Sequence, residues 1–168
     1  MRGILAFVVP VILLAACTST VPTTRSQGTS PLTSPLSTGE WTMAGSEGAM
    51  IIFERSGGLA GVHEVWRFYE DDRVVKTEQH RNTTEEAQFQ PGVVKDAVQR
   101  IVEGGFLDLA DEYMPANRCC DRFTYRLTIV YEGSVKTVTT MDGAERPPAL
   151  ASALAVVNSL IGQVTFGQ

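Results

Sequence analysis

The sequence predicts an α+β domain: an antiparallel sheet of about five strands, in the order β-β-β-α-β-β-α, with two helices packed on one face. Three observations predict it. Residues 48–79 alternate apolar and polar side chains in three runs separated by tight turns, and residues 122–141 do so in two more. Two further stretches repeat their apolar residues at helical spacing. The chain of 168 residues has room for one such domain.

The elements follow in order. Gly48 to Arg55 sets Met50 and Ile52 against Ile51 and Phe53, the pattern of a buried strand. Ser56-Gly57-Gly58-Leu59-Ala60-Gly61 breaks it with a turn. Val62 to Glu70 resumes, with Val62, Trp66 and Phe68 on one face and His63, Arg67 and Tyr69 on the other. Asp71-Asp72 marks a tight, solvated turn before a more polar third strand from Arg73 to Gln79. Pro91 then opens a helix whose Val93, Val94, Ala97, Val98, Ile101 and Val102 form one apolar face, stopped by Gly104-Gly105. Phe106, Leu107 and Leu109 make a short apolar segment. Arg122 to Glu132 is the clearest strand, with Phe123, Tyr125, Leu127, Ile129 and Tyr131 pointing one way. Gly133 turns it into Val135 to Met141, which is rich in Val and Thr. Pro147-Pro148 starts the final helix, with Leu150, Leu154, Val157, Leu160 and Ile161 as its stripe.

The chain before this domain has a different character. A positive charge at Arg2 precedes an uncharged apolar run from Ile4 to Ala16, shorter than the roughly 20 residues a spanning helix needs. It ends in Leu14-Ala15-Ala16-Cys17, which resembles the lipobox of bacterial lipoproteins. That resemblance implies a signal peptide over 1–16 and a diacylglycerol on the Cys17 thiol; the alternative is an ordinary secretory signal with an incidental cysteine. Residues 18–40 hold five Ser, seven Thr and three Pro with little apolar bulk. Such a segment buries too little surface to offset its ordering entropy, so 17–40 reads as a lipidated linker. Its average reach is roughly 25–30 Å. The expected location is the extracytoplasmic side of a cell membrane, and residues 41–168 form the folded domain.

Net charge is −5, from 14 Lys+Arg against 19 Asp+Glu, which argues against a nucleic-acid partner. His63-Glu64-Val65-Trp66-Arg67 approaches the zinc-peptidase motif, but Arg67 replaces the second histidine. A strand also sends His63 and Glu64 to opposite faces, so no metal site is expected. The Ser56-Gly57-Gly58 turn lacks the Lys-Ser/Thr and the helix of a phosphate loop. G-x-S-x-G is missing, no catalytic residue is expected, and no cofactor is implied. Cys119-Cys120 leaves three readings open: a disulfide between neighbours, a reduced pair, or a metal or redox role.

Four pieces of the chain, in order, resemble emfourin-type proteins: Ile52 to Gly61, Gly105 to Leu109, Asp121 to Ile129, and Pro147 to Leu150. Together they span most of residues 48–162. Leu59 stands where that family suggests an aromatic, and Cys119-Cys120 is an addition. The resemblance implies a small α+β binding protein without enzymatic activity, an inhibitor of thermolysin-type metallopeptidases. Glycines 57, 58 and 61 leave the first loop free of bulk for a partner's backbone, and Glu54 and Arg55 flank it. The partner-binding set is therefore Glu54, Arg55, Ser56, Gly57, Gly58, Leu59 and Gly61. The expected protein is a tethered inhibitor of a secreted or surface metallopeptidase. A non-inhibitory envelope binding module, or an enzyme or redox protein, would be the other classes.

Overall fold

The computed structural model divides the chain into two units, Met1–Glu40 and Trp41–Gln168, and describes residues 47–167, all within the second. The expected signal peptide, Cys17, the linker and the first residues of the domain lie outside the described residues. The domain is α+β. Its elements are β1 (Ala49–Gly57), β2 (Val62–Tyr69), β3 (Arg73–Glu78), β4 (Thr83–Gln88), α1 (Val93–Glu103), β5 (Glu112–Tyr113), β6 (Phe123–Tyr131), β7 (Ser134–Met141) and α2 (Pro148–Gln163). They build one seven-stranded sheet in the order β4-β3-β2-β1-β6-β7-β5.

The sheet has seven strands rather than about five, and it is mixed. β4 is exposed along nearly its whole length, so it has no apolar alternation to announce it. Ladder pairing with β3 holds it, helped by Lys76–Glu85 at 3.5 Å and Arg73–Glu86 at 3.9 Å across the two strands. β5 is only two residues long and runs parallel to β7, with Glu112 beside Thr139 and Tyr113 beside Thr140. The five expected strands form the continuous antiparallel centre.

Register decides which side chains meet the helices. Phe53 lies between Trp66 on β2 and Leu127 on β6, and Ile51 between Phe68 and Ile129. Val138 continues this row on β7 and Val74 on β3. All are buried, against Val94, Ala97, Val98 and Ile101 of α1 and Leu150, Ala153, Leu154, Val157 and Leu160 of α2. Phe106, in the 3-10 turn Phe106–Asp108 after α1, is fully buried in the same core. Gly105 enters that turn at φ 85°, a conformation glycine adopts without a Cβ penalty. The opposite sheet face is left to partly polar side chains, such as the Thr128–Thr137 hydroxyl pair at 2.8 Å.

Asp72 is not a solvated turn residue. It is 5% exposed, at φ 64°, between β2 and β3. Its carboxylate accepts the Gly92 N–H at 2.7 Å and the Val94 N–H at 2.8 Å, capping α1 from twenty residues away in the chain. Its carbonyl accepts the Phe89 N–H at 3.0 Å, where β4 leaves the sheet. Gly92 itself has no side chain to cap with, so the first turn of α1 depends on Asp72. Asp72→Ala should cost about 2–3 kcal/mol in chemical denaturation, since a buried donor and a part-buried one lose their carboxylate acceptor. Asp72→Asn should cost less, because Asn keeps one acceptor and tolerates positive φ. Equal stability of Asp72→Ala and the parent would refute this role.

Candidate functional site

Antiparallel pairing gathers several connections at one end of the sheet: the β1–β2 turn, the β3–β4 turn, and the segments entering β6 and leaving β7. The turn Gly58-Leu59-Ala60-Gly61 closes with the Gly61 N–H donating to the Gly58 carbonyl at 2.9 Å. It is then tied to the strand beside it. The Gly58 N–H donates to the Arg122 carbonyl at 3.2 Å, and the Leu59 N–H to the Asp121 carboxylate. Arg122 carries the tie onward, donating from Nη1 to the Asp142 carbonyl at 2.6 Å. The Asp142 carboxylate accepts the Phe123 N–H at 3.1 Å and the Tyr125 hydroxyl at 3.0 Å. Burial first, and then this bond to Asp142, push the Tyr125 phenol above its ordinary pKa, so it remains a neutral donor.

The glycines of the turn are close-packed rather than open. A Cβ on Gly57, at φ 116°, would sit 2.3 Å from the Arg122 carbonyl oxygen. One on Gly58, at φ 73°, would sit 2.8 Å from the Phe123 ring. One on Gly61, at φ 60°, would reach the His80 imidazole at 3.4 Å. The groups that come close to these glycines, the Arg122 backbone and the Phe123 and His80 side chains, belong to the same chain, so a partner does not have that space.

Glu54 and Arg55 do not flank the turn together. They lie inside β1, and successive strand residues face opposite ways. Glu54 is on the open face, 2.9 Å from His63 Nε2 and 3.7 Å from Arg126. Arg55 is on the helix face, 2.9 Å from Glu64 and stacked over the Phe123 ring at 5.2 Å. Ser56 and Gly57 are strand residues paired with His63 and Val62. Of the expected set, Leu59 alone is fully presented to solvent, at 92% exposure.

Cys119 and Cys120 are joined by a disulfide. Both are exposed, and Cys120 takes φ 77°. The Cys120 carbonyl accepts the Arg122 N–H at 2.7 Å, so the cysteine pair runs directly into the two residues that hold the hairpin turn. Asp121 and Arg122 were not among the expected site residues. Their partners, Leu59 and Asp142, are far away in sequence, and neither spacing nor residue type marks the connection. His63 and Glu64 fall on opposite faces. Among the described residues, no group of three or more His, Cys, Asp or Glu side chains is placed to hold a metal ion.

Compared with known proteins, the chain matches no family model, and no curated protein matches it.

The site is thus a rigid turn that displays one large apolar side chain. Gly57→Ala should destabilise the domain by about 2–4 kcal/mol, from positive-φ strain and the collision with Arg122. Leu59→Ala should change thermal stability by less than about 0.5 kcal/mol, because the side chain touches little. A tolerated Gly57→Ala would show that the hairpin is not fixed by this approach.

Proposed function

We propose that this protein is a lipid-anchored, extracytoplasmic lipoprotein whose domain binds a protein partner through the β1–β2 turn, as an inhibitor of a thermolysin-type metallopeptidase. The observation that carries the reading is Leu59. Its apolar side chain is 92% exposed at the tip of a turn held by Asp121, Arg122 and close-packed glycines, so it is available to a partner. A turn already in its bound shape loses little entropy on association, which favours an inhibitor. The resemblance of residues 52–61 and 121–129 to emfourin-type proteins supports the choice of target. These two segments are the ones that meet at the tip.

β1 begins at Ala49, on the side where the chain arrives from its N-terminus, and ends at the turn. Nine strand residues at about 3.3 Å each carry the turn nearly 30 Å from that entry point. A lipid on Cys17 would hold the protein at the membrane through its linker. Two or more acyl chains make such an anchor stable, at about 0.8 kcal/mol per buried CH₂.

Metabolic labelling with palmitate should mark the wild-type chain and fail to mark Cys17→Ser, which should remain an unprocessed precursor. A labelled, processed Cys17→Ser chain would remove the lipobox assignment.

The purified protein should inhibit a thermolysin-type peptidase at a one-to-one ratio. Leu59→Ala should weaken inhibition roughly ten- to hundredfold, the equivalent of exposing one buried leucine, about 1.5–3 kcal/mol. Folded wild-type protein that leaves a panel of such peptidases fully active would sink the inhibitor assignment and leave a non-inhibitory envelope binding module.

A further inference from the structure

A cavity of about 420 Å³ opens on the helix side of the sheet, between α2 and strands β1, β2 and β6. That volume lies in the range of small-molecule sites, and the cavity stands apart from the Leu59 reading. Its apolar wall includes Trp66 and Leu154, and its polar wall brings Arg55, Glu64 and Arg146 together. Asn158 lines it and is also exposed, which puts the Asn158 position of α2 where the cavity meets solvent.

The donors of this cavity are incompletely used. Among the described residues, five buried side-chain polar atoms have no hydrogen-bond partner. Three of them, Arg55 Nε, Trp66 Nε1 and Arg146 Nε, belong to residues lining this one cavity. Buried donors are usually partnered, so their concentration here points to an acceptor brought by a ligand. Arg55 Nε approaches Glu64 at 2.9 Å, but as an ion-pair contact without hydrogen-bond alignment. Arg146 is held loosely: Nη2 is 3.4 Å from the Met141 carbonyl and 3.7 Å from Asp142. Asp142 already accepts from Phe123 and Tyr125. Arg146 also lies over the Tyr125 ring at 5.3 Å. Two guanidiniums and one carboxylate, Glu64, line the cavity, with the Asp142 carboxylate beside Arg146.

We propose that this cavity binds a small monocarboxylate with an apolar or aromatic body, its carboxylate on Arg146 and its body against Trp66 and Leu154. A guanidinium forms charge-assisted, often paired, hydrogen bonds to a carboxylate, and the apolar wall selects the rest of the ligand.

The test uses the full chain in detergent with Trp41→Phe, so that Trp66 is the sole indole. Titration with phenylbutyrate at neutral pH should change the Trp66 fluorescence saturably. The neutral analogue phenylbutanol should bind at least about tenfold more weakly. Arg146→Met should weaken phenylbutyrate by a similar factor. Asn158→Phe, a change at an exposed position of α2, should block both ligands while the circular dichroism spectrum is unchanged. If Arg146→Met loses its fold, Asn158→Phe decides alone. No saturable response in the Trp41→Phe chain, equal binding of the alcohol and the acid, or full binding in folded Asn158→Phe would each overturn the proposal.

Discussion

The buried Asp72 carboxylate is the contact on which the layering of this domain depends. One residue, held at φ 64° in the β2–β3 turn, supplies the acceptors for the first turn of α1 and the return of β4. A helix N-terminus leaves backbone donors without partners, and the adjacent positive end of the helix dipole favours an anion. Asp72 answers both demands from the sheet layer. The start of α1 is thereby fixed over the sheet before any side chain of its apolar face is considered. Val94, whose N–H bonds Asp72, is itself fully buried, so the cap and the core begin at the same residue. α1 in turn packs on α2, and α2 covers the sheet beside Trp66.

What was legible in the chain was whatever burial writes into periodicity. Phe123 to Tyr131 alternates because one face meets the helices, and the structure places Leu127 and Ile129 in the core as that alternation requires. α1 and α2 are legible for the same reason. β4 was not, because an exposed edge strand is held by backbone hydrogen bonds and cross-strand ion pairs. These leave no apolar signature. The Asp72 cap was hidden by distance: a local capping residue can be read from the chain, but an acceptor twenty residues earlier looks like any turn aspartate.

The tip shows the same division. The glycines at 57, 58 and 61 were legible as a turn, and their left-handed φ values explain the residue type. Their surroundings were not legible, since Arg122 and Phe123 reach them only after β6 has paired with β1. Glycine in a loop can mean room for a partner or closeness to the rest of the chain. Here it means closeness. The rigidity of the turn comes from that close approach, and the large apolar side chain it pushes outward is Leu59, the recognition element of the proposed function.

The tip and the cavity are linked through the register of β1. In the observed register Gly57 lies beside Phe123, with its α-carbon against the Arg122 carbonyl, and Arg55 lies beside Tyr125. A slip of one residue would turn every β1 side chain to the other face. Arg55 would leave the cavity for the open face, Glu54 would enter beside Glu64, and Ile51 and Phe53 would leave the core. A slip in one direction would also bring the Ser56 Cβ to the Arg122 carbonyl, where only glycine fits, whereas a slip in the other would bring Gly58 there and is opposed by the exposure of Ile51 and Phe53. Gly57 therefore blocks one direction of slip, and the burial of Ile51 and Phe53 opposes both. The observed alignment of β1 with β6 directs Arg55 towards the helices, Glu54 towards His63 and Arg126, and Leu59 into solvent. The arrangement of both surfaces follows from that register.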